Sequence, residues 1–285
     1  MNIPHFDLGG NGERLHFLHA NGYPPNCYKS FLELLKTQSH VFGMLLRSLW
    51  KDSNPNEVED WKPFSDDLLQ FLASASSPVI GVGHSIGAIV TLRAALRDPD
   101  KFRAIILLDP VLFVPSRLVL WNFFRAVGLG NKVHPKIPGA LKRRRYFDNL
   151  DLVFRGYRKR SVFRYMSDES LYDYIQGITR QSEHGGYELL YSPEWESRIY
   201  FTGLRDFDIW RDLPRPQVPT LFTRGAETDT FLENAAKLVN RKQPGARLET
   251  LEKSTHLLPL ERPREVFDIM QSFLYETLRV YERTV

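Results

Sequence analysis

The sequence predicts an α/β fold, a mostly parallel central sheet flanked by helices, with an inserted helical cap. Three observations lead there. Short apolar runs such as 79–82 and 104–108 alternate with amphipathic stretches, the pattern of strands buried on both faces and joined by crossover helices. The alternation stops at Val111 and resumes near 213, which assigns 1–110 and 213–285 to the core and 111–212 to the cap. Between the run Pro78-Val79-Ile80-Gly81-Val82 and the helical pattern Ala88 to Leu96 lies Gly83-His84-Ser85-Ile86-Gly87, a sharp strand-turn-helix junction.

Taken in order, Arg14 to Ala20 reads as a strand running into the loop Asn21-Gly22-Tyr23-Pro24-Pro25, and Tyr28 to Leu35 has helical spacing. Val41 to Leu46 is the next expected strand, Arg47 to Asn56 a loop, and Trp61 to Leu72 an amphipathic helix leading into the elbow strand. After the elbow helix, Asp98-Pro99 breaks the pattern and Arg103 to Leu108 supplies another buried strand. Arg117 to Val127 and Ser167 to Ile178 are the clearest helical patterns of the cap. The core resumes with a strand from Val218 to Thr223, a helix from Phe231 to Asn240 and a strand from Ala246 to Leu251. A final helix is opened by Pro263, a suitable first-turn residue.

Composition narrows the class of function. The chain has 285 residues, enough for one large α/β domain with an insertion, and 42% hydrophobic with 25% charged residues is ordinary for a folded globular protein. Met1 to Asp7 lacks the basic and apolar regions of a secretory leader, no apolar run reaches membrane-span length, and a single cysteine, Cys27, allows no intrachain disulfide. A cytoplasmic protein is the expectation. The net charge of +4 is concentrated between Lys132 and Arg164, around Lys142-Arg143-Arg144-Arg145. A solvated helix face is the plain reading of that run; an anionic head group, a membrane surface or a charged substrate tail is the functional one. Nucleic acid is not expected, because the basic stretch is local and no nucleic-acid motif accompanies it. Leu118 to Val127 is more apolar than one helix face requires and reads either as a helix buried between cap and core or as a wall for an apolar acyl group.

Three chemistry-bearing side chains fall at strand ends in the order Ser85, Asp229, His256. A serine hydroxyl becomes an effective nucleophile only when a base takes its proton, and the base needs a carboxylate to hold its tautomer and stabilise its cation. Ser85 is therefore the expected nucleophile, His256 the base and Asp229 the acid. Asp109, at the carboxyl end of the strand Arg103 to Leu108, is a second candidate for the acid, and Glu227 shares the loop of Asp229. The small residues after His19 suit a loop whose backbone N–H approaches a substrate closely, with His19 and His84 in structural roles.

These segments resemble the α/β-hydrolase superfamily, in particular its capped esterase or lysophospholipase-like members. The matching residues are His19-Ala20-Asn21-Gly22, the elbow pentapeptide, Leu107-Leu108-Asp109-Pro110, Arg224-Gly225 with Asp229, and His256 with Glu261-Arg262-Pro263. The resemblance implies an α/β-hydrolase fold, Ser85, Asp229 and His256 as the triad, and an oxyanion hole formed by the backbone N–H groups of Asn21 and Ile86. It also implies hydrolysis of a carboxylic ester, without metal or cofactor; that the acyl group is apolar is the expectation from the segment Leu118 to Val127. A thioesterase, amidase or carbon–carbon bond hydrolase could use the same triad, and a non-catalytic ligand-binding protein could use the same fold. Two departures stand out: the family's usual His-Gly is His19-Ala20 here, and the acid loop offers both Glu227 and Asp229. Relatives that open epoxides or displace halide carry an aspartate nucleophile at the elbow, and Ser85 argues against both chemistries.

Overall fold

The computed structural model describes residues 3–215 and 218–282; Met1 and Asn2, at the start of the segment searched for a leader, lie outside the described residues. The chain opens with β1 (His5–Gly9), β2 (Glu13–Leu18), α1 (Lys29–Lys36), β3 (Ser39–Met44), α2 (Lys62–Leu72), β4 (Val79–His84), α3 (Ile86–Arg97) and β5 (Phe102–Leu108). The inserted segment holds α4 (Pro115–Ala126), α5 (Gly130–Val133), α6 (Ile137–Leu141), β6 (Tyr146–Phe147), α7 (Leu150–Arg158), α8 (Asp168–Ile178), β7 (Thr179–Gln181), β8 (Tyr187–Leu189), α9 (Pro193–Thr202) and α10 (Phe207–Asp212). The chain then returns through β9 (Thr220–Gly225), α11 (Glu233–Lys242), β10 (Arg247–Leu251), α12 (Leu258–Glu261) and α13 (Pro263–Glu282).

Seven strands form the main sheet in the order β1-β3-β2-β4-β5-β9-β10, with β1 antiparallel and the rest parallel. Every residue of β4 is buried, as expected of a central strand covered by helices on both faces, and one apolar cluster lies on each side of the sheet. The strand order positions the site. The chain goes outward from β2 to β3 and then returns across β2 to β4, so the loops leaving the carboxyl ends of β2 and β4 diverge. Leu18 pairs with Gly83, which brings the loop after β2 beside the elbow. On the other flank His84 pairs with Leu108 and Leu108 with Thr223, so the residues that follow β4, β5 and β9 arrive side by side.

The observed elements correct the sequence reading in three places. β1 is an additional edge strand. The insertion carries a three-stranded antiparallel sheet, β6-β8-β7, besides its helices; strands of two or three residues are too short to leave a periodic signal. The apolar α4 buries only Leu118 and Trp121 and leaves Val119, Leu120 and Phe123 more than half exposed, so it is not a helix sandwiched between cap and core.

The expected basic patch is partly neutralised where it stands. The half-buried Arg143 pairs with the buried Glu196 carboxylate at 2.7 Å, Arg145 with Glu194, Arg158 with Asp168 at 3.0 Å, and Arg164 with Glu227. At the junction with the core, Arg93 of α3 is buried between Asp206 at 2.5 Å and Asp208 at 2.8 Å, which fixes α10 to the elbow helix.

Three imidazoles are sealed in the sheet layer: His16 in β2, His19 just beyond it and His84 at the end of β4, all without exposed surface. Burial holds His16 and His84 down to about 3 and His19 to about 4. In an unfolded chain a histidine protonates near 6.5, so below that pH the unfolded state takes up protons that the folded state refuses. Stability is therefore full above pH 6.5 and falls as the pH drops towards 4. Urea unfolding at pH 5 is expected to show a loss on the order of 1–2 kcal/mol for each of the three residues relative to pH 7, and replacing His16 by Gln is expected to flatten that slope.

Candidate active site

The elbow is built by close backbone contact. Ser85 has φ 61° and ψ −119°, a strained conformation for a residue with a side chain, held by its N–H donating to Leu108 O at 3.0 Å. A Cβ on Gly83 would lie 2.3 Å from Gly87 O, and one on Gly87 would lie 2.2 Å from Leu18 O. Both glycines of the motif are thus required by the approach of strand to helix and of helix to the loop after β2. Ile86 is the first residue of α3, so its N–H has no partner within the helix and lies at the positive end of the helix dipole.

His256 reaches Ser85 from the loop after β10, with Nε2 2.9 Å from Ser85 Oγ. Its Nδ1 lies 3.1 Å from Asp109 Oδ1 and 2.8 Å from Thr230 Oγ1. The loop can come this close because β9 ends in Gly225, where a Cβ would stand 2.3 Å from Thr255 O. Asp109 is fully buried at φ 41°, and its carboxylate accepts from Gly225 N–H at 2.9 Å, Thr228 Oγ1 at 2.7 Å and Thr230 Oγ1 at 2.5 Å. These donors satisfy the charged form of a carboxylate that water does not reach.

This arrangement corrects one expectation. The carboxylate that meets the histidine is Asp109; Asp229 points to Lys136 of the insertion at 3.0 Å and is 63% exposed. Glu227 also faces the insertion, accepting from Tyr165 at 2.5 Å and from Arg164. The physical reason is register: β5 pairs directly with the elbow strand, so the residue after Leu108 is adjacent to Ser85, whereas Asp229 lies farther along a loop that turns outward. What that loop supplies instead is the two threonine hydroxyls, which sequence reasoning missed; their spacing of two residues across Asp229 was the signal available.

The loop after β2 is fixed peptide by peptide. His19 Nε2 accepts from Leu46 N–H at 3.2 Å, so its Nδ1–H donates to Ala20 O at 2.9 Å; Tyr23 N–H reaches the same carbonyl at 3.3 Å. In a trans peptide the N–H points opposite to the carbonyl, so Asn21 N–H faces away from these donors. The Asn21 side chain is held from above: Tyr191 O–H donates to its Oδ1 at 2.8 Å, and its Nδ2 donates to Glu196 O at 3.0 Å.

A second chain of bonds runs underneath. His84 Nε2 faces His256 O at 2.8 Å and must donate its proton there, which leaves Nδ1 to accept from Tyr28 O–H at 2.7 Å. The Tyr28 oxygen in turn accepts Ala20 N–H at 3.2 Å. The loop that carries Asn21 and the loop that carries His256 are thereby joined through Tyr28 and the residue preceding Ser85.

Above Ser85 and His256 lies a cavity of about 640 Å³, walled on the insertion side by Leu120, Trp121, Phe124 and Val133 and reached by Asn21 and Ile86 from below. Such an enclosure suits a small or medium-sized organic ligand with an apolar part.

The family model described as the alpha/beta hydrolase family matches residues 17–269. The chain belongs to the alpha/beta hydrolase family. Among solved structures, E-2-(acetamidomethylene)succinate hydrolase is 17% identical, with 95% of this chain and 94% of that chain covered at a TM-score of 0.76. The thioesterase domain from the curacin biosynthetic pathway is 16% identical over 95% and 100% of the two chains at 0.71. The esterase Rv0045c from Mycobacterium tuberculosis is 18% identical over 95% and 86% at 0.71. At these identities the likeness shows the fold. The search of curated proteins gave no match.

Three outcomes are expected of this hydrolase-family site. Asp109→Asn should lower kcat about 10³-fold or more, while Asp229→Asn should change it by less than about tenfold, measured by steady-state turnover of an activated ester. Tyr28→Phe leaves Ala20 N–H without an acceptor and is expected to cost about 1–3 kcal/mol in urea unfolding. The same variant should lower kcat while moving KM little, because it loosens two loops around the reacting atoms and leaves the cavity wall unchanged.

Proposed function

We propose that this alpha/beta hydrolase is a serine hydrolase that cleaves carboxylic esters through an acyl-enzyme, with Ser85 as nucleophile, His256 as base and Asp109 as acid. The single observation that carries the reading is His256 lying within hydrogen-bond distance of Ser85 Oγ on one side and of the buried Asp109 carboxylate on the other. His256 Nε2 takes the Ser85 proton as Oγ attacks the ester carbonyl, and Asp109 stabilises the imidazolium while Thr230 helps to hold the ring. The negative charge that develops on the carbonyl oxygen is met by the N–H groups of Asn21 and Ile86, whose orientation is set before the substrate arrives. His256 then returns the proton to the leaving alcohol, activates a water molecule, and hydrolysis of the acyl-enzyme restores Ser85.

The apolar wall formed by Leu120, Trp121, Phe124 and Val133 favours an ester with an apolar acyl group. The esterase and the thioesterase domain among the structural neighbours support cleavage of an acyl bond without fixing the leaving group. Among the described residues no helix is long and apolar enough to cross a membrane, and the only cysteine, Cys27, is buried; the cytoplasm is the proposed compartment.

Intact-mass analysis after a fluorophosphonate probe is expected to show one adduct, mapped to Ser85 and absent from Ser85→Ala, together with at least 10³-fold slower ester turnover in that variant. A folded protein that neither labels nor hydrolyses esters, thioesters or amides would overturn the reading in favour of a ligand-binding protein.

A further inference from the structure

The charged groups around the cavity do not cancel. Among the described residues that line it, Lys136 pairs with Asp229 at 3.0 Å and Arg164 pairs with Glu227, while Arg117, in the first turn of α4, has no carboxylate partner. Its position is nonetheless defined. The guanidinium carbon stands 4.4 Å from the centre of the Phe113 ring, and Phe113 is itself buried, its carbonyl accepting from the Trp210 indole N–H at 2.8 Å. Stacking uses the face of a guanidinium and leaves its N–H edges available to a planar anion.

The cavity wall on the same side is aromatic. His134, also on the cavity wall, stacks against Tyr200 at 5.4 Å and is held down to about 4, first by burial and then by the charges of Lys136 and Arg117. An apolar chamber with a stacked, unpaired cation on its rim fits a ligand that is apolar along its length and negative at one end.

We propose that Arg117 is a specificity-determining residue that receives an anionic oxygen group of the substrate, a carboxylate or a phosphate, so that the preferred ester carries a negative charge away from the scissile bond. The proposal rests on the ester-hydrolase reading above and names the class of ester. The charge has two sources with the same chemistry: a second carboxylate on the acyl part, or a phosphate on the alcohol part of a lipid.

Two matched pairs of substrates separate these sources. The first is p-nitrophenyl valerate against the p-nitrophenyl half-ester of glutaric acid; the second is a monoacylglycerol against the lysophosphatidic acid with the same acyl chain. In Arg117→Gln the KM for at least one anionic member is expected to rise about tenfold or more, with kcat nearly unchanged and the neutral partner within about twofold; Arg117→Lys should recover part of the loss. Equal effects on both members of each pair, or no effect on either, overturns the proposal. A fluorescent fatty acid and its methyl ester, titrated into Ser85→Ala and into Ser85→Ala with Arg117→Gln, repeats the comparison without turnover. Arg117-dependent binding of the acid in a protein that hydrolyses nothing would retain the anion site and remove the ester reading. Ester hydrolysis that ignores charge would do the reverse.

Discussion

A carboxylate removed from water is tolerable only if its lone pairs are occupied, and the site is arranged around meeting that requirement for Asp109. Its oxygens take a backbone N–H from the end of β9, two threonine hydroxyls from the next loop and the imidazole of His256. Two segments that are distant in sequence, 225–230 and the loop of His256, are therefore tied to one group. Their convergence depends on the parallel register of β4, β5 and β9, which brings the ends of these strands level with one another. The strain at Ser85 is held by the same framework, since its N–H is taken by the last carbonyl of β5.

The insertion contributes more than a cover. Tyr191 and the carbonyl of Glu196 hold the Asn21 side chain, Arg143 braces Glu196, and α8 packs so closely on the turn after β2 that a Cβ on Gly177 would meet Cys27 N at 2.4 Å. One side of the insertion is thus bonded into the loop that carries an expected oxyanion donor. On the other side α4 rests on few buried residues, and farther along the insertion Lys136 and Arg164, which line the cavity, meet the core through Asp229 and Glu227. Exposed ion pairs of this kind contribute little to stability and weaken with salt.

How much could be seen in advance follows from how local each constraint is. The elbow at Ser85 was legible because it needs small residues on both sides of the serine, and all of them fall within five positions. The α/β class was legible because buried parallel strands write continuous apolar runs, and the loop after β2 because small residues follow a strand end. The acid was not settled, since Ser85-Asp109-His256 and Ser85-Asp229-His256 share one chain order and both aspartates follow strands at the same sheet edge; only the pairing of β5 with β4 separates them. Likewise the basic stretch of the cap is visible as composition, but Glu194, Glu196 and Glu227 lie 49, 53 and 63 positions from the arginines they pair with, and no periodicity reports them.

The bonds from Ala20 through Tyr28 and His84 to the His256 carbonyl all run in one direction, each group donating to the next. No member can be inverted alone: the other tautomer of His84 would set two acceptors face to face at the His256 carbonyl, and a Tyr28 hydroxyl turned away from His84 would set two donors face to face at the Ala20 N–H. In evolutionary terms positions 28 and 84 form one inherited unit. Divergent descendants of this chain should keep tyrosine with histidine or exchange both together, even though the two residues stand 56 positions apart and neither touches the reacting bond.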